Sequence, residues 1–119
     1  MALPITGQLA AVNVSTLATL TDIYTVPTAS PARAASVNIT ITNRADVATL
    51  VRIAHIKNDV AANVALEDYI MYDFSTASLA SNRTPFGKDG VLMEEGDTIA
   101  VLTNDSAVTV QVNGIEEDT

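Results

Sequence analysis

The chain has 119 residues, a formal net charge of −8, 48% hydrophobic and 17% charged residues, and no cysteine. That size fits one domain, and the apolar content is enough for a core, which argues against disorder. The acidity disfavours nucleic acid and anionic membrane as partners, and the missing thiols exclude disulfides, cysteine nucleophiles and thiolate metal sites.

The first residues, with Pro4 and Gly7, read as an extended N-terminal arm over about 1–8 leading into a short strand, "QLAAVNV". "TLTDIYTVP" is a second strand, ended at Pro27 because proline has no N–H for a ladder. The loop "TASPARA" follows. "SVNITITN", Ser36 to Asn43, then alternates strictly, with Val37, Ile39 and Ile41 on one side and Ser36, Asn38, Thr40 and Thr42 on the other. Side chains of a strand alternate between faces, so this is a half-buried strand whose apolar row faces a second sheet. The row Val108, Val110, Val112 is its expected packing partner. "NRAD" reads as a turn.

"ATLVRIAHIK" is the next strand, with Val51, Ile53 and His55 on one row and Leu50, Arg52, Ala54 and Ile56 on the other. Arg52 marks the second row as the outer one or as an interface. "NDVAANVALE" predicts at most one short helix near 59–66, capped by Asn58 or Asp59, with Val60 and Val64 sharing a face. "DYIMYDF" is β-rich and aromatic. A short strand is expected around Ala77 to Ser81, then a turn at "KDG", a turn at "EEGD", the strand "TIAVLT", and the alternating "AVTVQVNGI" before a loose acidic tail, "EEDT". Seven or eight short strands without a long helix predict an all-β, antiparallel β-sandwich, jelly-roll or immunoglobulin-like, filling residues 1–119 as a single domain.

Charge is uneven along the chain. Asp22 and Asp46 face four cations before residue 58, whereas the later residues hold twelve acids against Arg83 and Lys88. Such asymmetry suits contacts between copies, or a solvated acidic face.

Little in the sequence points to catalysis. His55 stands alone, and one His without Cys does not make a typical zinc site, so it is assigned a structural role. The acids Asp89, Glu94, Glu95, Asp97 and Asp105 cluster near turns but lack calcium-loop spacing. Glu67 and Asp68 do not come with the aromatic platforms a glycosidase would use, since the chain has no Trp. Four N-x-S/T triplets, at Asn13, Asn38, Asn82 and Asn104, are chance matches in a Thr-rich chain. No secretory signal and no membrane-spanning run is read, so assembly in a cytoplasm is expected.

Several segments together resemble a known family. "DIYTVP" at 22–27, "VNITITNR" at 37–44, "ATLVRIA" at 48–54, "DYIMYD" at 68–73, "LMEEGDTIAV" at 92–101 and "VTVQVNGIE" at 108–116 occur in order over most of the chain. The pattern is similar to that of small β-sandwich virion structural proteins of tailed bacteriophages. One departure is "VPTASPAR", a longer loop where that family has a tight "VPAG"-like turn. The resemblance implies a non-enzymatic virion protein without a cofactor, most directly a capsid decoration or cement protein. The alternatives are a tail, baseplate or fibre accessory protein, or a host-facing ligand-binding module. Its implied partners are copies of itself and major capsid or tail proteins, with no nucleic acid and no membrane. The expected assembly contacts are Leu3 and Ile5 of the arm, the uncharged row Asn38, Thr40 and Thr42, Arg33 in the long loop, and Arg52 on its outer row.

Overall fold

The computed structural model describes residues 5–14, 18–28, 33–44, 49–76, 86–104 and 108–118. They form eight strands: β1 (Ile5–Val14), β2 (Thr21–Thr25), β3 (Arg33–Asn43), β4 (Thr49–Ile56), β5 (Tyr69–Thr76), β6 (Phe86–Met93), β7 (Thr98–Thr103) and β8 (Val108–Asp118). Two sheets result, ordered β1-β8-β3-β6 and β2-β7-β4-β5, and every pairing within them is antiparallel. The pairs β1–β8, β2–β7, β3–β6 and β4–β5 are those of one long hairpin doubled back on itself. Wrapping that ribbon brings β3 against β8 and β4 against β7. This is a jelly roll, the first of the two sandwich arrangements the sequence left open.

The core lies between the sheets and is built almost entirely from Ile and Val, whose branched side chains suit a pleated surface. Val37, Ile39 and Ile41 point into it as their alternation requires. Val108, Val110 and Val112 also point inward, but from beside β3 rather than across from it: Ile39 pairs with Val112 and Ile41 with Val110. The opposing layer comes from Val51, Ile53, Ile99 and Val101. Two equal alternating rows cannot reveal whether they share a sheet or oppose each other, because both arrangements bury them alike.

Outside β4 a second small cluster forms. Leu50 and Arg52 occupy the outer row as expected, yet Ala54 and Ile56 on the same row are buried. The β4–β5 connection folds back so that Ala61, Val64 and Tyr69, with Leu20, cover Ala54, Ile56 and Ala100. This connection contains two single 3-10 turns, Ala61–Asn63 and Leu66–Asp68, in place of one short helix. The first begins with Val60 at its N-cap rather than the expected Asn58 or Asp59; Asp59, one residue earlier, accepts from Val60 N–H (2.9 Å) and Asn63 Nδ2 (2.8 Å) through Oδ1. Asp68 Oδ2 accepts from Ala65 N–H at 2.8 Å in the second. Val60 consequently points to solvent while Val64 packs down, so the two do not share a face.

Three further boundaries differ from the sequence reading. Residues 5–8 are paired strand, not arm, because Ile5 to Gln8 lie opposite Glu116 to Asn113. Glu116 to Asp118 are likewise strand, paired with Arg33 to Ala35, where a loose tail was expected. "KDG" does not end a strand: it sits inside β6, Lys88 opposite Ile39 and Asp89 with Gly90 forming a bulge opposite Asn38, whose Oδ1 accepts the Gly90 N–H at 2.9 Å. "EEGD" does form the expected turn, closed by Asp97 N–H donating to Glu94 O at 3.0 Å. The strand expected around Ala77 to Ser81 and the second half of "NRAD", Ala45 and Asp46, lie outside the described residues.

Candidate functional site

The outer face of the β1-β8-β3-β6 sheet is built from the polar halves of the alternating strands. Cross-strand register arranges it in rows. Asn13, Thr109 and Thr42 form one row; Ala11, Gln111, Thr40 and Gly87 the next; then Gln8, Asn113 and Asn38; and finally Thr6, Ile115, Ser36 and Leu92. None of these positions carries a charge, although the chain holds fourteen acids. Among the described residues charge enters at its borders, with Asp89 in the β6 bulge and Lys88 beside it, Arg44 beyond Thr42, and Glu117 beyond Ile115. Arg44 Nε donates to Thr109 Oγ1 at 3.0 Å, and that hydroxyl donates to Asn13 Oδ1 at 2.7 Å. The last row carries the large apolar side chains of the face: Leu92 is 74% and Ile115 43% exposed, beside a shallow groove of ≈ 250 Å³ lined also by Ala34, Ser36 and Glu117. Amides and hydroxyls cost far less to desolvate than carboxylates, so this face can be covered by another surface at modest cost.

The outer face of the second sheet differs in chemistry. The Arg52 guanidinium sits 3.9 Å from the Tyr72 ring centroid and pairs with Asp73, Nη2 to Oδ2 at 3.2 Å. Tyr69 meets Tyr72 edge to face at 5.0 Å. Leu50, Ile70 and Tyr72 are exposed around this stack. β5 bulges where Arg52 faces Tyr72 and Asp73, and Asp73 takes up the turn at φ 52°. Arg and Tyr held in a fixed stack are residue types that binding surfaces favour.

Among the described residues two carboxylates are buried, Glu116 and Asp97. Glu116 continues the inward row of β8, and its carboxylate lies between Arg33 Nε, 2.8 Å from Oε1, and the Tyr24 hydroxyl, which donates to Oε2. Arg33 Nη2 also donates to Glu116 O at 3.2 Å. Burial, with the carboxylate as second cause, pushes the Tyr24 phenol well above its usual range. Asp97, 1% exposed, lies at the same end of the sandwich, on the turn before β7, where its backbone bonds Val26 two residues beyond Tyr24. Its Oδ2 accepts from His55 Nε2 at 2.8 Å and Glu94 N–H at 3.0 Å, and its Oδ1 from Asn58 N–H at 3.0 Å. Lys57 Nζ stands 3.6 Å away and bridges to Glu94 at 3.1 Å. Burial alone would raise the Asp97 pKa; the Glu94 amide, His55, the Asn58 amide and Lys57 together outweigh it and hold it below the usual carboxylate value. A His–Asp pair can orient a base, but here the carboxylate pins a turn, and among the described residues no three His, Cys, Asp or Glu gather as a metal site.

The expected contact residues thus separate. Asn38, Thr40 and Thr42 lie on the uncharged face, and Arg52 anchors the opposite one. Arg33 is turned inward at 11% side-chain exposure. Leu3 and the side chain of Ile5 lie outside the described residues. The buried pairs escaped sequence reasoning, although one signal was present: Glu116 has the same strand parity as Val108, Val110 and Val112, which puts it inside. Nothing in the sequence pointed from Asp97 to His55. Among the described residues no helix is long and apolar enough to cross a membrane. Comparisons with protein-family models, with curated proteins and with solved structures found no match to this chain.

Proposed function

We propose that this chain is a non-enzymatic structural subunit of a tailed-bacteriophage particle, a capsid decoration or cement protein that packs on the shell or on copies of itself. The observation that carries the reading is the charge-free outer face of the β1-β8-β3-β6 sheet on a chain of net charge −8. A subunit attached by such a face keeps its acids outward, where they repel non-specific contacts, and buries only groups that are cheap to desolvate. The resemblance in strand and turn motifs supports the same assignment. The two buried carboxylates are both engaged in contacts that hold the sandwich together, which is what a rigid subunit requires.

Quantitative mass spectrometry of purified particles from the phage encoding the chain tests this. A copy number comparable to that of the shell subunit is expected. A low copy number moves the protein to the tail, baseplate or fibre, and its absence from particles overturns the proposal.

A second reading is favoured by the Arg52–Tyr72–Tyr69 stack, with Tyr72 53% exposed. Such a stack suits a host-facing ligand-binding module. Binding of particles to host-surface glycans that disappears with Tyr72→Ala, while attachment of the protein to the particle persists, would establish it.

A further inference from the structure

We propose that two copies of the chain associate side by side through the open edge of β1, joining two four-stranded sheets into one of eight. The proposal deepens the assembly reading above and rests on it for the choice of partner.

An edge strand offers unpaired N–H and C=O groups, and proteins normally blunt such edges with bulges, charges or short length. Among the described residues three of the four sheet edges are blunted. β5 has two irregularities against β4, with Asp73 turned to φ 52°. β6 carries Asp89 in its bulge and Lys88 beside it. β2 has five residues, is interrupted at Ile23, and its Asp22 Oδ1 accepts the Ala61 N–H at 2.9 Å. β1 has ten residues and no charged side chain. Its single irregularity, between Gln8 and Ala10, leaves Ala10 to Val14 as a regular run.

The interior is also less complete at this edge. Val110 and Val112 of β8 are fully buried, whereas Val12 and Ala10, paired with them on β1, are only half-buried. A strand added outside β1 would extend the cover of these side chains.

Charge favours a second copy at this place over any other edge. Two chains of −8 repel unless they meet where acids are lacking, and β1 borders the charge-free face. The segment is also self-complementary. Pairing about a dyad at Val12 sets Val12 against Val12 of the partner subunit, Ala11 against Asn13 of the partner subunit, and Ala10 against Val14 of the partner subunit. This keeps inward residues inward and outward residues outward, as sheet pairing demands. Five residues form a small contact, so the affinity is low in dilute solution and is amplified where many copies are held close together.

Sedimentation equilibrium of the full chain, from about 10 μM to about 1 mM, covers the range of such weak pairing. The mass is expected to rise from 12.5 kDa toward twice that value. Amide hydrogen exchange at Ala10 to Val14 should slow with concentration. The double variant Ala11→Lys/Asn13→Lys places four lysines across the dyad and should raise the dissociation constant about tenfold or more. Thr40→Lys/Thr42→Lys charges the same face away from the edge and should leave the dimer intact. A chain monomeric throughout the series overturns the proposal, and so does a dimer broken by Thr40→Lys/Thr42→Lys but not by Ala11→Lys/Asn13→Lys. Hydrogen exchange on the unmodified chain decides the matter even where a variant fails to fold: a dimer without slowing at Ala10 to Val14 also overturns it. Copy number on particles is read independently, so the edge pairing can fail while the virion assignment stands.

Discussion

Asp97, on the turn before β7, receives the Nε2–H of His55 from the end of β4 at 2.8 Å, and through it three loops are tied together. The same carboxylate holds the amides of Glu94 and Asn58, and the neighbouring backbone exchanges two hydrogen bonds with Val26, each 3.0 Å. Gly96 permits this closure: it stands at φ 80°, and a Cβ there would meet Asn58 Oδ1 at 2.3 Å.

Asp97→Asn would turn an amide N–H₂ toward a backbone N–H, leaving at least one buried donor unpaired. The expected cost is about 2–4 kcal/mol at neutral pH, from one or two unsatisfied buried groups. The Asp97 pKa is lowered in the fold, so its contribution is present above the unfolded value of 3.8 and is lost as the pH falls through the folded one. Urea unfolding at pH 7 and at low pH should show a smaller acid-induced loss in Asp97→Asn than in the parent. An equal loss in both would remove Asp97 from the acid response.

Tyr24→Phe deletes one donor to the buried Glu116 carboxylate and leaves Arg33 in place. The expected cost is about 1–3 kcal/mol. Because the phenol pKa is raised in the fold, its share of the stability is present below the unfolded value of 10.0 and is lost as the pH rises toward the folded one. Thermal melts of parent and variant should therefore converge at strongly alkaline pH.

Ile39→Ala should open a cavity at the centre of the first sheet and cost about 2–5 kcal/mol. Thr40→Ala, one residue on and facing outward, should cost under about 0.5 kcal/mol. Denaturant midpoints measure both, and equal values would contradict the burial of Ile39 at 1% exposure.

Gly114→Ala tests the closeness of β8 and β3. A Cβ at Gly114 would lie 2.0 Å from Ser36 O and 2.9 Å from Val37 Cα, both backbone atoms that cannot swing aside. A loss of about 1–3 kcal/mol or more is expected from forcing the strands apart, read as a lowered melting temperature.

The strands and their buried faces were legible because burial in a sandwich follows strand parity, a property of adjacent residues. Val37, Ile39 and Ile41 could be placed inside from "SVNITITN" alone, and the outer position of Leu50 and Arg52 from the charge on their row. Parity does not specify which strands pair. The side-by-side position of the Ile39 and Val112 rows, and the choice of the jelly roll over the immunoglobulin-like arrangement, were decided by how the long ribbon wraps. The same wrapping explains what local pattern misjudged. Ala54 and Ile56 sit on an outer row yet are buried, because a distant connection lies over them. Glu116 looks like a tail residue but is strand, because β3 runs beside it and Tyr24 and Arg33 offer it partners. His55 and Asp97 are forty-two residues apart in sequence, and only the pairing of β4 with β7, His55 opposite Ile99, brings the imidazole to the carboxylate.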